Sequence, residues 1–256
     1  MKNKIILKAM YVNTLILLIC PTLMAAKVKT PRSTPGTAIF VMAHENQVST
    51  QSKRLEYNDY GLKLTMEIPQ VSGLKNSKFE KKTNQQFMKS AKERKNEVIK
   101  EAMTYNKDII RDGLTPIPFE YIENYNVIPS VEPYYTIGQF KYKYSGGAHG
   151  INHADYITID TESSKILKLK DLFKEQVNYT PIINDLIKKQ IEVKTQAGEA
   201  FFTGNDGFQS IKEDQPFFIN QNGDLVIVFN VYEIASYASG TQYFVLPHQD
   251  LLPYMK

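Results

Sequence analysis

The sequence predicts an α+β fold in which antiparallel sheet carries two main amphipathic helices packed on one face. Three observations support this prediction. Apolar and polar residues alternate strictly over residues 62–68, as in a strand with one buried face. Apolar residues recur at helical spacing over 77–105 and again over 180–195. The dipeptide of Asn222 and Gly223 separates two short apolar runs, as in a β-hairpin.

The first helix carries its own start signal. Ser77 and Glu80 fit a capping box, and no Gly or Pro interrupts the pattern that follows as far as about Tyr105. Its outer face holds many lysines and Arg94, but glutamates are interspersed with them. This mixture predicts a solvated helix face rather than a surface for nucleic acid.

Strands surround the two helices in the sequence. Pro69 ends the strand at 62–68, and further strands are predicted at 119–127, 134–144, 156–159 and 166–169. A second helix spans about 180–195, with Pro181 suited to its first turn. The hairpin pairs 217–219 with 225–229.

Composition excludes several kinds of site. The chain has 256 residues, with 31 Lys and Arg, 27 Asp and Glu, one Cys and no Trp. Residues 1–26 hold Cys20 and three lysines but no acid, so the remainder has no thiol and a net charge of +1. A cysteine nucleophile, a thiolate metal site and a disulfide framework are therefore excluded there. The near-neutral charge gives no global field that would attract nucleic acid or a membrane surface.

Residues 1–26 have the order of a secretory signal peptide, with lysines first, then apolar residues, then small ones. We expect cleavage after Ala25 or Ala26 and an exported, periplasmic or extracellular protein. The alternative is a retained membrane anchor, although Asn13 and Pro21 interrupt the apolar run. Residues 27–52 are predicted as a linker that includes a candidate strand at 37–42.

A possible catalytic or metal-binding group stands in the segment GGAHGINHAD. His149 and His153 are four residues apart, and Asp155 would supply a third ligand. A metal-dependent or other hydrolase is therefore one alternative. Because glycines surround the histidines, we favour a loop in which His149 bonds to backbone and His153 lies at the surface. No catalytic residue, bound metal or cofactor is predicted.

Tyrosine is abundant and falls into two groups. The first group is expected to pack mainly in the core, and it comprises Tyr121, Tyr125, Tyr134, Tyr135, Tyr142 and Tyr144. The second comprises Tyr232, Tyr237 and Tyr243, where Ser and Gly interrupt the strand pattern. Tyrosine combines apolar area with a polar tip, so the second group predicts a loop that contacts a partner.

Three motifs in order resemble the RsiV-like domain, the extracytoplasmic domain of the anti-sigma-V factor family. They are YKYSGGAHG at 142–150, ILKLKDLF at 166–173 and YEIASYASG at 232–240. The resemblance covers about residues 130–252. Residues 55–110, through the turn IPQVSG at 68–73, resemble the small module that precedes it, also found in PdaC-type peptidoglycan deacetylases.

The resemblance implies a non-catalytic α+β binding domain at 130–256 after a PdaC-like module at 53–129. In the sigma-regulating members this domain binds lysozyme, with a loop that enters the lysozyme cleft. Ser236 stands here where the family's last motif has proline. Few residues precede the apolar leader, so we expect no cytoplasmic sigma-binding region. No deacetylase domain follows, so deacetylase activity is not implied.

The sequence therefore predicts an exported cell-envelope binding protein that recognises lysozyme, another wall-active protein or a wall glycan. A purely structural envelope module is the remaining alternative. The predicted contact residues are Tyr232, Glu233, Ser236, Tyr237, Ser239 and Gly240. The predicted structural motif comprises Tyr144, Gly146, Gly147, His149 and Gly150.

Overall fold

The structure is a computed structural model that describes residues 48–256. The predicted signal peptide with Cys20, the candidate strand at 37–42 and most of the linker lie outside the described residues. Residues 49–52 were expected to be linker but belong to the first strand, in which Ser49 pairs with Ser72. Within 48–256 no helix is both long enough and apolar enough to cross a membrane.

The described chain forms two sheets and three α-helices. In chain order the elements are β1 (Ser49–Asp59), β2 (Leu62–Ser72), α1 (Ser77–Arg111), β3 (Phe119–Ile128), β4 (Tyr134–Tyr144), β5 (Ile151–Asp160), β6 (Lys165–Ile166), α2 (Tyr179–Gln196), β7 (Phe217–Ile219), β8 (Leu225–Phe229), β9 (Gln242–Leu246) and α3 (His248–Leu251). The strand predicted at 166–169 is thus reduced to β6, and a 3-10 helix begins at Leu169.

Strands β1 to β6 form the first sheet in sequence order. All neighbours are antiparallel except β2 and β3, which run parallel because α1 carries the chain back before β3 begins. The sheet curls, since the hydroxyl of Thr50 on β1 lies 2.8 Å from that of Tyr135 on β4. Helix α1 packs on this sheet around a first core that includes Leu64, Met66, Ile68, Phe87, Ala91, Ala102 and Ile137.

Strands β7, β8 and β9 form the second, antiparallel sheet. Helix α2 packs on it around a second core that includes Ile183, Ile187, Ile219, Leu225, Ile227 and Phe244. The α+β class with mainly antiparallel sheet is therefore confirmed. The two main helices, however, cover two different sheets rather than one common face.

Aromatic rings join the two sheets. The ring of Tyr156 on β5 stacks on that of Phe218 on β7, with 4.8 Å between centroids. The hydroxyl of Tyr156 also lies 3.1 Å from that of Tyr243 on β9. Burial, followed by the hydrogen bond with Tyr243, raises the pKa of Tyr156 well above its usual value. The junction is therefore a layer of tyrosine and phenylalanine in which the phenol of Tyr156 stays neutral.

The start of α1 differs from the predicted capping box. Asn76 caps the helix, because its Oδ1 accepts the backbone N–H of Phe79 at 3.0 Å. Glu80 instead accepts the N–H of Leu74 at 3.0 Å, and Ser77 is the first helical residue. Asn and Ser cap helices about equally well, so their order in the sequence left the start ambiguous by one residue.

The end of α1 also lies beyond the prediction, at Arg111. The buried side chain of Asn106 holds this last part in place. Its amide donates to the carbonyls of Tyr60 and Ile117, and its Oδ1 accepts the N–H of Ile117, all at 2.7–2.8 Å. The helix is held here by a buried polar residue and not by apolar ones. The apolar pattern in the sequence therefore stops before the helix ends.

Pro69 does not end its strand. It lies inside β2, which continues to Ser72, and it pairs with Ser52 on β1. β3 accompanies β2 only from Leu62 to Met66, so Pro69 lies where one edge of β2 has no paired strand within the described residues. A proline is tolerated there because no ladder hydrogen bond from its nitrogen is needed on that edge.

Arg94 does not lie on the solvated face of α1. Its guanidinium donates two hydrogen bonds to the carboxylate of Glu123 on β3, one of them 3.0 Å long. Glu123 is fully buried, and the hydroxyl of Tyr121 donates to it at 3.2 Å. Burial and the nearby Glu123 raise the pKa of Tyr121 far above its usual value. An internal ion pair therefore fastens the helix to the sheet.

Candidate functional site

A tight connection between β4 and β5 presents His149. Gly146 and Gly147 have φ values of +85° and +100°, in the left-handed region that favours glycine. The hydroxyl of Tyr144 donates to the carbonyl of Gly147 at 3.0 Å. The predicted structural motif is therefore a turn fixed by its own tyrosine, and it leaves the side chain of His149 exposed.

Gly150 ends this turn and packs against Tyr142. It is buried, and a Cβ at this position would lie 2.4 Å from the ring of Tyr142. Only glycine lets the backbone pass so close to the ring. The strand β5 then starts at Ile151, so His153 is a strand residue and not part of the expected loop.

The second predicted segment, residues 232–240, lies in the connection between β8 and β9, which spans residues 230–241. Ile234 and Ala235 are buried and anchor it, and the N–H of Tyr232 donates to the carbonyl of Ala235 at 3.1 Å. Tyr232 has a φ of +67° and exposes half of its side chain. Tyr237 begins a 3-10 turn. The segment is the loop predicted from its Ser and Gly content.

The two segments meet through their rings. The imidazole of His149 stacks on the phenol of Tyr237, with centroids 4.1 Å apart and planes 21° apart. The ring of Tyr232 lies 5.8 Å from that of Tyr237. We call His149, Tyr232 and Tyr237 the aromatic cluster. It is a partly exposed surface that combines apolar ring faces with three polar tips.

Asn230 positions the second segment against the first sheet. Its Oδ1 accepts the backbone N–H of Ala154 on β5 at 2.7 Å, and its Nδ2 donates to the carbonyl of the same residue at 3.1 Å. The side chain thus pairs with β5 as another strand would. Sequence reasoning missed Asn230, although a polar residue directly after the fully buried β8 is a signal that could have identified it.

The other predicted contact residues stabilise the loop. Glu233 accepts the N–H of Asn230 at 2.7 Å and pairs with Lys212 at 2.6 Å. The hydroxyls of Ser236 and Ser239 lie 3.3 Å apart, and Gly240 supplies a φ of +67° where the 3-10 turn ends. These contacts hold the loop that carries Tyr232 and Tyr237.

The histidines and Asp155 do not converge as metal ligands. Nδ1 of His149 lies 3.0 Å from the carbonyl of Gly150, and its ring stacks on Tyr237. Nε2 of His153 lies 3.0 Å from Asp155, whose other oxygen accepts from Lys141. Across residues 48–256 no three His, Cys, Asp or Glu side chains are grouped to hold a metal ion. His149, His153 and Asp155 therefore do not form one metal site in the described part of the chain.

The pKa of Asp155 is strongly lowered. Its partial burial by itself would raise the pKa. Hydrogen bonds from His153 and Lys141, together with the positive charge of Lys141, outweigh burial and lower the pKa well below its usual value. The carboxylate therefore stays charged and links two adjacent strands, β4 and β5.

Two family models match consecutive parts of the chain. One, described as "Deacetylase PdaC", matches residues 55–152, and one described as "Protein of unknown function (DUF3298)" matches 170–249. His149 lies in the first range, and Tyr232 and Tyr237 lie in the second. The aromatic cluster is thus built from both. A division after residue 129 stays a prediction, and it falls inside the paired β3–β4 hairpin.

One named relative and two solved structures are also similar to the chain. The chain is 26% identical over 194 residues to the anti-sigma-V factor RsiV of Bacillus subtilis, covering 72% of this chain and 62% of that protein. A DUF3298 structure from Bacteroides fragilis superimposes with a TM-score of 0.61 at 17% identity, covering 82% and 93% of the two chains. One from Pseudomonas aeruginosa gives 0.52 at 14%, covering 82% and 94%. These two structures support the fold.

Proposed function

Because the chain carries an RsiV-like domain preceded by a PdaC-type module, we propose that it is an extracytoplasmic, non-enzymatic binding protein of the cell envelope. The aromatic cluster of His149, Tyr232 and Tyr237 is the proposed contact surface. The observation that carries this proposal is the stack between His149 and Tyr237, because it builds one surface from two separate motifs.

The chemistry of the cluster suits protein recognition. Tyrosine contributes large contact area at a low cost in side-chain entropy, and its hydroxyl replaces hydrogen bonds to water with bonds to a partner. Tyr232 is half exposed, while buried neighbours hold its backbone. A ring on a backbone that is already held in place loses less freedom on binding than one on an open chain.

Lysozyme is the first partner to test, because the RsiV-like resemblance implies it. The chain spans 62% of the length of its RsiV relative, so the partner and any sigma-factor regulation belong to the proposal. Ser236, at the position of the family's proline, lies beside Tyr237 within the same loop. If the loop enters the lysozyme cleft, this substitution will affect affinity through loop rigidity.

Isothermal titration calorimetry of the chain with hen lysozyme tests the proposal. We expect binding that Tyr237→Ala and Tyr232→Ala each weaken by about tenfold or more, as for aromatic residues at an interface centre. Tyr105→Ala is the matched control, because Tyr105 is an exposed tyrosine on α1. No heat at high micromolar protein would reject lysozyme. Equal affinities for all three variants would reject the aromatic cluster.

A further inference from the structure

A groove separate from the aromatic cluster runs between α1 and the first two strands. It encloses about 770 Å³ and is open to solvent along its length. Lys53 on β1 and Gln70 on β2 form one wall. The other wall is a stripe along α1 at helical spacing, formed by Lys81, Gln85, Lys89, Lys92 and Asn96. At 1.5 Å per residue, this stripe is about 22 Å long.

The charge of the groove is positive. Its lining has four lysines and two glutamates. Glu80 is engaged by the N–H of Leu74, and Glu93 lies 3.9 Å from Lys89. Within the described residues, Lys53, Lys81 and Lys92 form no ion pair. Three ammonium groups on both walls are therefore available to an anionic ligand.

Amide groups supply the remaining polar contacts. Asn84 is fully used, because its side chain both accepts from and donates to the backbone of Val71 at 2.8 Å. These two hydrogen bonds to β2 fix α1 against the sheet at the groove. Gln85 and Asn96, in contrast, are exposed on the stripe, and each offers donors and an acceptor that match hydroxyl groups.

From these features we infer that the groove binds a linear anionic polysaccharide, with lysines on its acidic groups and amides on its hydroxyls. A concave groove fits a chain and not a flat bilayer. The lining includes no aromatic ring, so the stacking that holds single-stranded nucleic acid is absent. Acidic groups of the carboxylate or phosphate type share this recognition chemistry. The inference does not depend on the aromatic cluster.

Binding of polygalacturonate to the full chain at low ionic strength tests the inference. We expect binding that added salt weakens, and no binding of uncharged dextran. The double variant Lys81→Gln, Lys92→Gln should weaken it about tenfold, since each exposed charge contact contributes modestly. Its matched control is Lys188→Gln, Lys189→Gln, which removes two exposed charges from α2.

Four results separate the outcomes. Failure to bind polygalacturonate and a phosphate-bearing polysaccharide alike would overturn the inference, while binding of only one identifies the acidic group. Equal losses in both double variants would show charge attraction without a groove. Equally tight, groove-dependent binding of inorganic polyphosphate would show that sugar hydroxyls play no part, and would also overturn it. Circular dichroism checks that the variants fold. The lysozyme titration tests the aromatic cluster and not the groove, so failure of one proposal leaves the other standing.

Discussion

The rings of His149 and Tyr237 stack at 4.1 Å although they stand on loops of different sheets. His149 follows β4 of the first sheet, and Tyr237 follows β8 of the second. The contact therefore joins loops of the two sheets, while Tyr156 and Phe218, both half-buried, join the strands themselves. A surface built in this way depends on the docking of the sheets.

The stack should be measurable as a coupling energy. In a double-mutant cycle on urea unfolding, His149→Ala and Tyr237→Ala should show about 0.5–1.5 kcal/mol of interaction, as aromatic pairs do. A second cycle that combines His149→Ala with Tyr105→Ala should give additive effects. Additivity in the first cycle as well would mean that the rings lie together without stabilising each other.

Glu123→Gln should be strongly destabilising. The change leaves the guanidinium of Arg94 partly buried without its counter-charge, and the cost should be about 2–4 kcal/mol in the free energy of unfolding. Urea titration followed by circular dichroism measures it. The control, Glu93→Gln, removes an exposed carboxylate from α1, the helix that carries Arg94. It should change stability by less than about 0.5 kcal/mol. Similar values for both variants would contradict the buried pair.

Asn230→Ala should loosen the attachment of the loop to β5. The backbone N–H and carbonyl of Ala154, both buried, would lose their partners, at a cost of about 1–3 kcal/mol. Hydrogen exchange should show faster exchange of the Ala154 amide. Asn58→Ala, at an exposed position of β1, is the control and should leave that amide unchanged. Unchanged exchange in Asn230→Ala would mean that another group protects Ala154.

Ser236→Pro should be tolerated and should rigidify the loop. Ser236 has a φ of −66°, close to the value that proline imposes, and among the described residues its N–H donates no hydrogen bond. Restricting the unfolded chain should add about 0.4–1 kcal/mol of stability. Thermal unfolding measures this gain. A large loss would show that the backbone before residue 236 cannot accept proline, and that the loop differs from those of relatives with proline.

The links from Asp155 to Lys141 and His153 should make stability depend on pH in acid. The folded-state pKa of Asp155 lies below the unfolded value of about 3.9, so its stabilisation is present above that value. The stabilisation is lost as pH falls below about 4 toward the folded-state pKa. Asp155→Asn should therefore flatten the fall in stability between about pH 5 and 3. An identical pH profile for both proteins would contradict the shift.

Local patterns predicted most elements but not the contacts between them. Alternation located β2, and the Asn222–Gly223 turn located the β7–β8 hairpin, because both signals lie within a few residues. The role of Arg94 depends on Glu123 in another element, so its own neighbourhood suggested solvent. The Gly-rich turn and the Tyr loop were each identified, but nothing local indicates that His149 and Tyr237 touch. Their contact follows from sheet packing, which sequence periodicity does not encode.

The separate cores give the aromatic cluster a thermodynamic consequence. One core lies between α1 and the first sheet and the other between α2 and the second sheet. The cluster takes His149 from a loop of the first sheet and Tyr232 and Tyr237 from a loop of the second. Opening of either core abolishes the surface, so a ligand bound there is linked to the closed state of both. By mass action, a partner at one hundred times its Kd would add about 2.7 kcal/mol to that state. Partner binding would therefore couple the unfolding of the two cores, so that they open together as one cooperative unit.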